Sequence, residues 1–200
     1  MNLIIEMIGG RGVGKSTVIS GIKQQIKNCI SREGFRKINT NYDLSLYEEF
    51  LENERLYLIR EIQEMKKLKE YDGIVFVTRG PRELLMYLDY IIKSKPPEWQ
   101  KIYSELNSEI QMVRTLFPDN YIYIYSSDDK LKNNIMNDTK KRNNTEFWLE
   151  FNRYERNVLM DNDSLYYIDA ENLDSDALKN EVLKYLEING VKANDLQNRT

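Results

Sequence analysis

The sequence predicts a three-layer α/β domain, a mainly parallel β-sheet covered by helices on both faces. Three observations predict it. Short apolar, β-branched runs alternate with longer stretches whose apolar residues recur at helical spacing. The short runs are apolar nearly throughout, as in strands buried on both sides. A glycine-rich segment, residues 9–14, joins the first run to the first amphipathic stretch.

Leu3 to Ile8 reads as a buried strand ending at glycines. Lys15 to Ile30 reads as a helix, with Val18, Ile19, Ile22, Ile26 and Ile30 on one face. Phe35 to Asn39 is taken as a short second strand. Leu51, Leu58, Ile62, Met65 and Leu68 form the apolar stripe of a long helix from about Leu44 to Lys69. Gly73 to Thr78 is β-branched and apolar, hence a central strand. Helix returns from Arg82 to Lys93, Pro96-Pro97 breaks it, and another helix runs to Phe117. Tyr121 to Tyr125 is a fourth strand, followed by polar helical segments from Asp128 to Met160. Leu165 to Ile168 is a fifth strand, and Leu178, Val182 and Leu186 mark the last helix. There is no internal repeat and no linker polar enough to divide the chain. Residues 1–188 are therefore expected to form one domain, with 189–200 a frayed tail.

Composition narrows the chemistry. The 200 residues carry a net charge of −3, with 41% apolar and 30% charged residues, the balance of a globular chain with a real core. A charge so near zero is no footprint for a nucleic-acid partner. No apolar run approaches the ~20 residues that span a bilayer, so no membrane partner is expected. The N-terminal stretch lacks a basic region and Glu6 interrupts it, so the cytoplasm is the expected location. There is no histidine and one cysteine, which excludes imidazole catalysis, Ser-His-Asp triads, His-based metal sites and an internal disulfide. Cys29 reads as a half-buried helix thiol, and Glu6, inside the first strand, as a structural hydrogen-bond partner. Trp99, Trp148 and the fourteen tyrosines read as packing residues.

Gly9-Gly10-Arg11-Gly12-Val13-Gly14-Lys15-Ser16-Thr17 matches G-x-x-x-x-G-K-[ST] in full, between an apolar strand and an amphipathic helix. Such a loop folds tightly enough for successive N–H groups to converge on phosphate oxygens, and the helix adds its positive end. Lys15 then supplies a cation to the β- and γ-phosphates, and the Ser16 hydroxyl a ligand for Mg2+. ATP and Mg2+ are the expected cofactors.

Beyond this loop the chain resembles the P-loop nucleoside and nucleotide kinases, thymidylate kinase and the deoxynucleoside kinases in particular. Phe50-Leu51-Glu52-Asn53-Glu54-Arg55 resembles the helix that places an arginine on the acceptor's phosphate. Thr78-Arg79-Gly80-Pro81, followed by Tyr87, resembles the Asp-Arg-Gly-Pro…Tyr stretch ending the third strand. Pro118 to Ile124 resembles the strand before the lid, and Tyr166 to Glu171 the final strand and its turn near the adenine. The resemblance implies a three-layer P-loop NTPase fold, a five-stranded parallel sheet in the order 2-3-1-4-5, and a small helical lid at about 128–146. It implies an ATP-dependent phosphotransferase acting on a nucleoside or nucleoside monophosphate, with Arg55 and Arg79 binding the acceptor. A homodimer is compatible with it.

The chain also departs from that pattern. Thr78 stands where relatives carry Asp or Glu. The lid's arginine slots fall on Asn134 and Asp138, and the basic residues come later, at Lys140-Lys141-Arg142. Arg142 is the lid cation expected over the transferred group. The carboxylate-proline motif after the second strand is absent, and Asp43 beside it is the available base; it could equally be a helix N-cap. Arg79 could pair with a carboxylate, and Arg55 could lie on a solvated face. Two other readings stay open: a nucleotide-binding regulatory or interaction module, and a kinase for a non-nucleotide small molecule.

Overall fold

Strand β1 (Asn2–Ile8) is the centre of a five-stranded sheet in which every neighbour is parallel. The computed structural model describes residues 2–34, 38, 41–137, 144–160 and 165–191. Around β1 stand β2 (Cys29–Glu33), β3 (Gly73–Thr78), β4 (Asn120–Tyr125) and β5 (Tyr166–Asp169), in the order β2-β3-β1-β4-β5. This is the strand order implied above. It puts the end of β1 between the ends of β3 and β4, where the order of strands reverses and α/β sheets bind ligands.

Alternation along β1 builds both layers. Leu3, Ile5 and Met7 face a core closed by α1 (Lys15–Gln25) and α8 (Ser175–Ile188). Ile4 and Ile8 face the other layer, formed by α2 (Tyr47–Lys69), α3 (Pro81–Lys93), α4 (Ile102–Glu105), α5 (Asn107–Arg114) and α7 (Thr145–Leu159). A single turn of 3-10 helix, Pro97–Lys101, precedes α4, and α6 (Asp128–Met136) follows β4. Where one expected helix ran to Phe117, three short pieces stand, because Leu106 leaves the helical conformation between α4 and α5. Trp99 packs in this layer against Tyr47 and Phe50, as a core residue should. Among the described residues no helix is long and apolar enough to cross a membrane.

The sheet's second strand is Cys29–Glu33, the segment Phe35–Asn39 lies outside the described residues except for Ile38, and the first helix stops at Gln25 rather than Ile30. Ile26 takes an extended conformation, and Asn28 a left-handed one with φ 52°, which turns the chain so that Cys29 lies beside Ile74. Ile26 and Ile30, four apart, mimic one more helical turn. Both are β-branched and equally at home beside a strand. Cys29 is thus a buried strand thiol, whose pKa burial pushes up to about 11. The relocated strand is clamped to α2 by Arg32, which meets both oxygens of buried Glu61 at 2.6 Å.

The chain stays packed past the end of α8 at Ile188, into the segment expected to be a frayed tail. Gly190, at φ 85°, lets its own N–H and that of Val191 bond back to Glu187 and Leu186, and buries Val191 in the core. Residues 192–200 lie outside the described residues.

Candidate active site

The loop from Gly9 to Gly14 closes over the C-terminal end of β1. A Cβ on Gly9 would lie 2.1 Å from the Ile124 carbonyl oxygen, so only glycine allows the loop to lie this close to β4. Gly14 starts α1 at φ 100°, a conformation that favours glycine. No side chain caps this helix and its first turn holds no acidic residue. By contrast, α6 and α8 are capped by Ser127 and Asp174 and carry acidic first turns. The first N–H groups of α1 therefore have no intrahelical partner and meet the cavity in front of them.

That cavity measures about 600 Å³ and is lined by the whole loop, Gly9 to Thr17. Lys15 does not extend into solvent: its ammonium bonds the Gly9 carbonyl and reaches the Gly10 carbonyl at 3.2 Å. Burial lowers the Lys15 pKa, opposed mainly by the carboxylates of Glu83 and Glu155. Ser16 is exposed at the cavity wall. Among the described residues no group of three or more His, Cys, Asp or Glu could hold a metal. A divalent cation here would rest on nucleotide phosphates with one or two protein oxygens, which is how Mg2+ commonly binds. The donor set of Ser16, with Thr78 on the same wall, fits that mode.

The far end of the cavity is fixed by polar clips. Glu171 accepts bonds from Ser126 Oγ (2.7 Å), Ser127 N (2.7 Å) and Ser127 Oγ (2.9 Å), which hold its pKa down. Lys130 donates to the carbonyls of Ala170, Glu171 and Leu173 at 2.5, 2.7 and 3.2 Å. The loops after β4 and β5 are thereby tied together. Asn134, one of the two lid slots, donates to the Gly12 carbonyl at 2.8 Å and so lies over the phosphate loop.

A second cavity, of about 500 Å³, opens between α2, α3 and α7. Arg11, Arg79 and Trp148 line both, so the two spaces meet at these residues. The Arg11 guanidinium sits 3.4 Å over the Trp148 ring. Phe50, Tyr57 and Tyr87 give the second cavity aromatic walls. Two buried polar residues face into it, and the Asn53 amide donates to Glu54 Oε1 at 2.9 Å. Burial pushes the Glu54 pKa up to about 7. Apolar walls with few convergent polar groups are typical of small-molecule sites.

At the junction, Arg79 adopts φ 51°, rare for a residue with a side chain, and its guanidinium lies 3.5 Å from Glu33 at the end of β2. The helix that follows is anchored from beneath. Glu6, fully buried in β1, accepts the Arg82 N–H at 2.9 Å, the Arg82 guanidinium at 3.0 Å and the Glu83 N–H at 3.4 Å. It is the structural partner expected of it, and burial outweighs Arg82 to push its pKa up to about 7.

Solved structures with this architecture are known. The chain overlays thymidylate kinase from Candida albicans at a TM-score of 0.65 and 11% identity, covering 98% of this chain and 94% of that one. It overlays deoxyadenosine kinase from M. mycoides, with products dCMP and a flexible dCDP bound, at a TM-score of 0.63 and 17% identity, covering 93% and 100%. The same enzyme with bound dATP matches at 0.64 and 18%, covering 92% and 98%. The fold is that of the P-loop nucleoside and nucleotide kinases. Comparison with protein-family models finds no match, and comparison with curated proteins finds none.

Within this fold the expected site residues separate. Gly9 to Thr17 and Arg79 come together around the first cavity. Arg55 does not join them: it pairs with Glu52 at 3.0 Å and Glu109 at 3.4 Å, toward α5. Asp43 is exposed and lines neither cavity; its carboxylate accepts Ser45 Oγ and N at 2.7 and 2.9 Å, which holds its pKa down, and it closes a local turn rather than capping α2, whose N-cap is Leu46. Asp138 and Lys140-Lys141-Arg142 lie outside the described residues. Trp148 is a wall of both cavities, not only packing. Sequence reasoning missed Asn53, Glu54 and Glu83. The visible signal for Glu83 was its place three residues after Gly80 at a helix start, where a glutamate reaches back to the backbone.

Proposed function

We propose that this chain is an ATP-dependent phosphotransferase whose acceptor is a nucleoside or nucleoside monophosphate. The observation that carries this reading is the junction of the two cavities. A phosphate-loop cavity and an aromatic-walled cavity meet at Arg11, Arg79 and Trp148. Donor and acceptor bound one in each would bring the transferred group between two guanidinium groups. The names of the overlaid structures, a deoxyadenosine kinase and a thymidylate kinase, support the same reading.

Phosphoryl transfer needs in-line positioning and charge neutralisation more than covalent help from the protein. The loop amides and Lys15 would hold the β- and γ-phosphates, and Ser16 would hold Mg2+. The cation, when bound, supplies further neutralisation of phosphate charge. Arg79 can bond two oxygens of one group at once. Asn53 and Glu54 offer hydrogen bonds to the acceptor between aromatic faces.

Thermal-shift titration with ATP and Mg2+, then ADP release with a panel of nucleosides and monophosphates, tests the proposal. Acceptor-dependent ADP release is expected. Nucleotide binding with no acceptor-dependent release by any member would favour a binding module instead.

A further inference from the structure

Thr78 leaves the end of β3 without a carboxylate, yet the phosphate-loop cavity has one. Glu83, in the first turn of α3, is buried and lines that cavity. Its place there is set from two sides. Glu6 holds the start of α3 from beneath, through Arg82 and the Glu83 N–H. The Arg79 backbone N–H bonds its carboxylate from above. These contacts still leave Glu83 Oε2 buried with no hydrogen-bond partner among the described residues. Leaving a buried carboxylate oxygen unsatisfied is costly, so a polar group of a bound ligand is a natural partner for it.

Burial raises the Glu83 pKa, and Lys15 and Arg11 from the phosphate loop and Arg79 from the end of β3 oppose that rise. The second buried carboxylate of the cluster, Glu155 on α7, is held well above the usual range by burial and by Glu83 itself. Glu6 on β1 adds to that repulsion. Of the two, Glu155 is raised further and so holds its proton more tightly than Glu83.

We infer that Glu83 is the catalytic base of the phosphotransferase proposed above, and that the acceptor group is a hydroxyl. The inference rests on that reading. As the acceptor oxygen forms its bond to the γ-phosphorus, its proton passes to the Glu83 carboxylate. The bond between the γ-phosphorus and the β,γ-bridging oxygen breaks, and ADP leaves. A phosphate acceptor is already ionised near neutral pH and needs no base, so a carboxylate at this position selects a nucleoside over its monophosphate. The base has moved from the strand end to the next helix, one turn beyond Arg79.

Two measurements test this. Glu83→Gln keeps the side chain's shape and an oxygen for the Arg79 N–H but cannot take the proton. With a nucleoside that the wild type phosphorylates, kcat should fall about a hundredfold or more, while ATP affinity and the nucleoside KM stay within about threefold. A bracing role would instead lower the melting temperature and raise both constants with kcat preserved, which overturns the inference. The second measurement uses the wild type alone, so it holds even if the variant does not fold. ADP release should be faster with nucleosides than with the matching 5′-monophosphates. Release with monophosphates only overturns the role of Glu83 and leaves the kinase reading standing. No release with either class overturns both.

Discussion

The two cavities that meet at Arg11, Arg79 and Trp148 are walled by different materials. The phosphate-loop cavity is built on a glycine-rich loop and an uncapped helix start, which present main chain to it. Its neighbour is made of side chains from α2, α3 and α7, among them Phe50, Asn53, Glu54, Tyr57, Tyr87 and Trp148. Amides offer the same donors whatever residue carries them, so the first cavity is proposed as the general holder of phosphate. Side chains can change one at a time, so selectivity is expected in the second. Substitutions in the first should remove function outright. Those in the second should alter acceptor choice or stability.

The largest effect is expected from Lys15→Ala. The ammonium now spent on the Gly9 and Gly10 carbonyls is the cation proposed to meet the nucleotide phosphates. Its loss should lower turnover about a hundredfold to a thousandfold, roughly 2.7–4 kcal/mol in the barrier. The side chain fills no apolar core, so the melting temperature should hold. Full turnover in this variant would remove the phosphate loop from the reaction.

The second cavity should reveal itself first through pH. Glu54 is buried with a pKa pushed from 4.5 up to about 7. A carboxyl group raised on folding contributes stability that is present below its unfolded pKa and lost as pH rises through the folded one. Stability should therefore fall between about pH 4.5 and 7, by up to roughly 3 kcal/mol for a shift of this size. Glu6 titrates in the same window and adds to the slope. In Glu54→Gln the Glu54 part should vanish, leaving a shallower fall in melting temperature from pH 5 to pH 8. An unchanged slope would mean that Glu54 is not buried as an acid.

The same contrast explains what could be read from the sequence. The phosphate loop is contiguous, and its spacing is its function, so it was legible residue by residue. The sheet order followed from the resemblance that this loop anchors. The second cavity is assembled from residues far apart in the chain, and no spacing connects Glu54 to Trp148. Even so, Glu54 and Glu61 fall on the turns between Leu51, Leu58 and Met65, the buried stripe of α2. Charge on an apolar stripe is the available signal, whereas Arg55, one position on, is the residue that the resemblance points to. The second strand was misplaced for a local reason: Ile26 and Ile30 fit a helical period, and the turn at Asn28 leaves no proline or glycine to announce it.

Arg79 belongs to the junction, so its replacement should act between these extremes. Lysine keeps the charge but cannot bond two oxygens in one plane. Arg79→Lys should lower acceptor-dependent turnover tenfold to a hundredfold, about 1.4–2.7 kcal/mol, with ATP affinity little changed. Its pair with Glu33 supplies the competing outcome. Unchanged turnover with a lowered melting temperature would leave Arg79 as a brace between β2 and β3.

The smallest effect is expected from the other arginine. Arg55 lies in the helix segment that suggested an acceptor clamp, but its guanidinium is turned to Glu52 and Glu109, away from the cavity that Asn53 and Glu54 line. One turn of helix carries 3.6 residues, so a neighbour of an inward-facing residue points some 100° away, here toward α5. With side chains 31% and 43% exposed at the Glu52 pair and 31% and 21% at the Glu109 pair, these are largely surface interactions. Such pairs contribute about 0.2–1 kcal/mol. Arg55→Ala should therefore lower the melting temperature by no more than about 2–4 °C. Turnover and acceptor KM should stay within about twofold of wild type, since no contact with the cavity is lost. Measured beside Arg79→Lys, the variant isolates position from charge, because both remove a guanidinium from a segment resembling a kinase motif. A tenfold rise in acceptor KM at an unchanged melting temperature would mean that α2 turns or bends on binding to bring Arg55 inward, and that the second cavity is remade by its ligand.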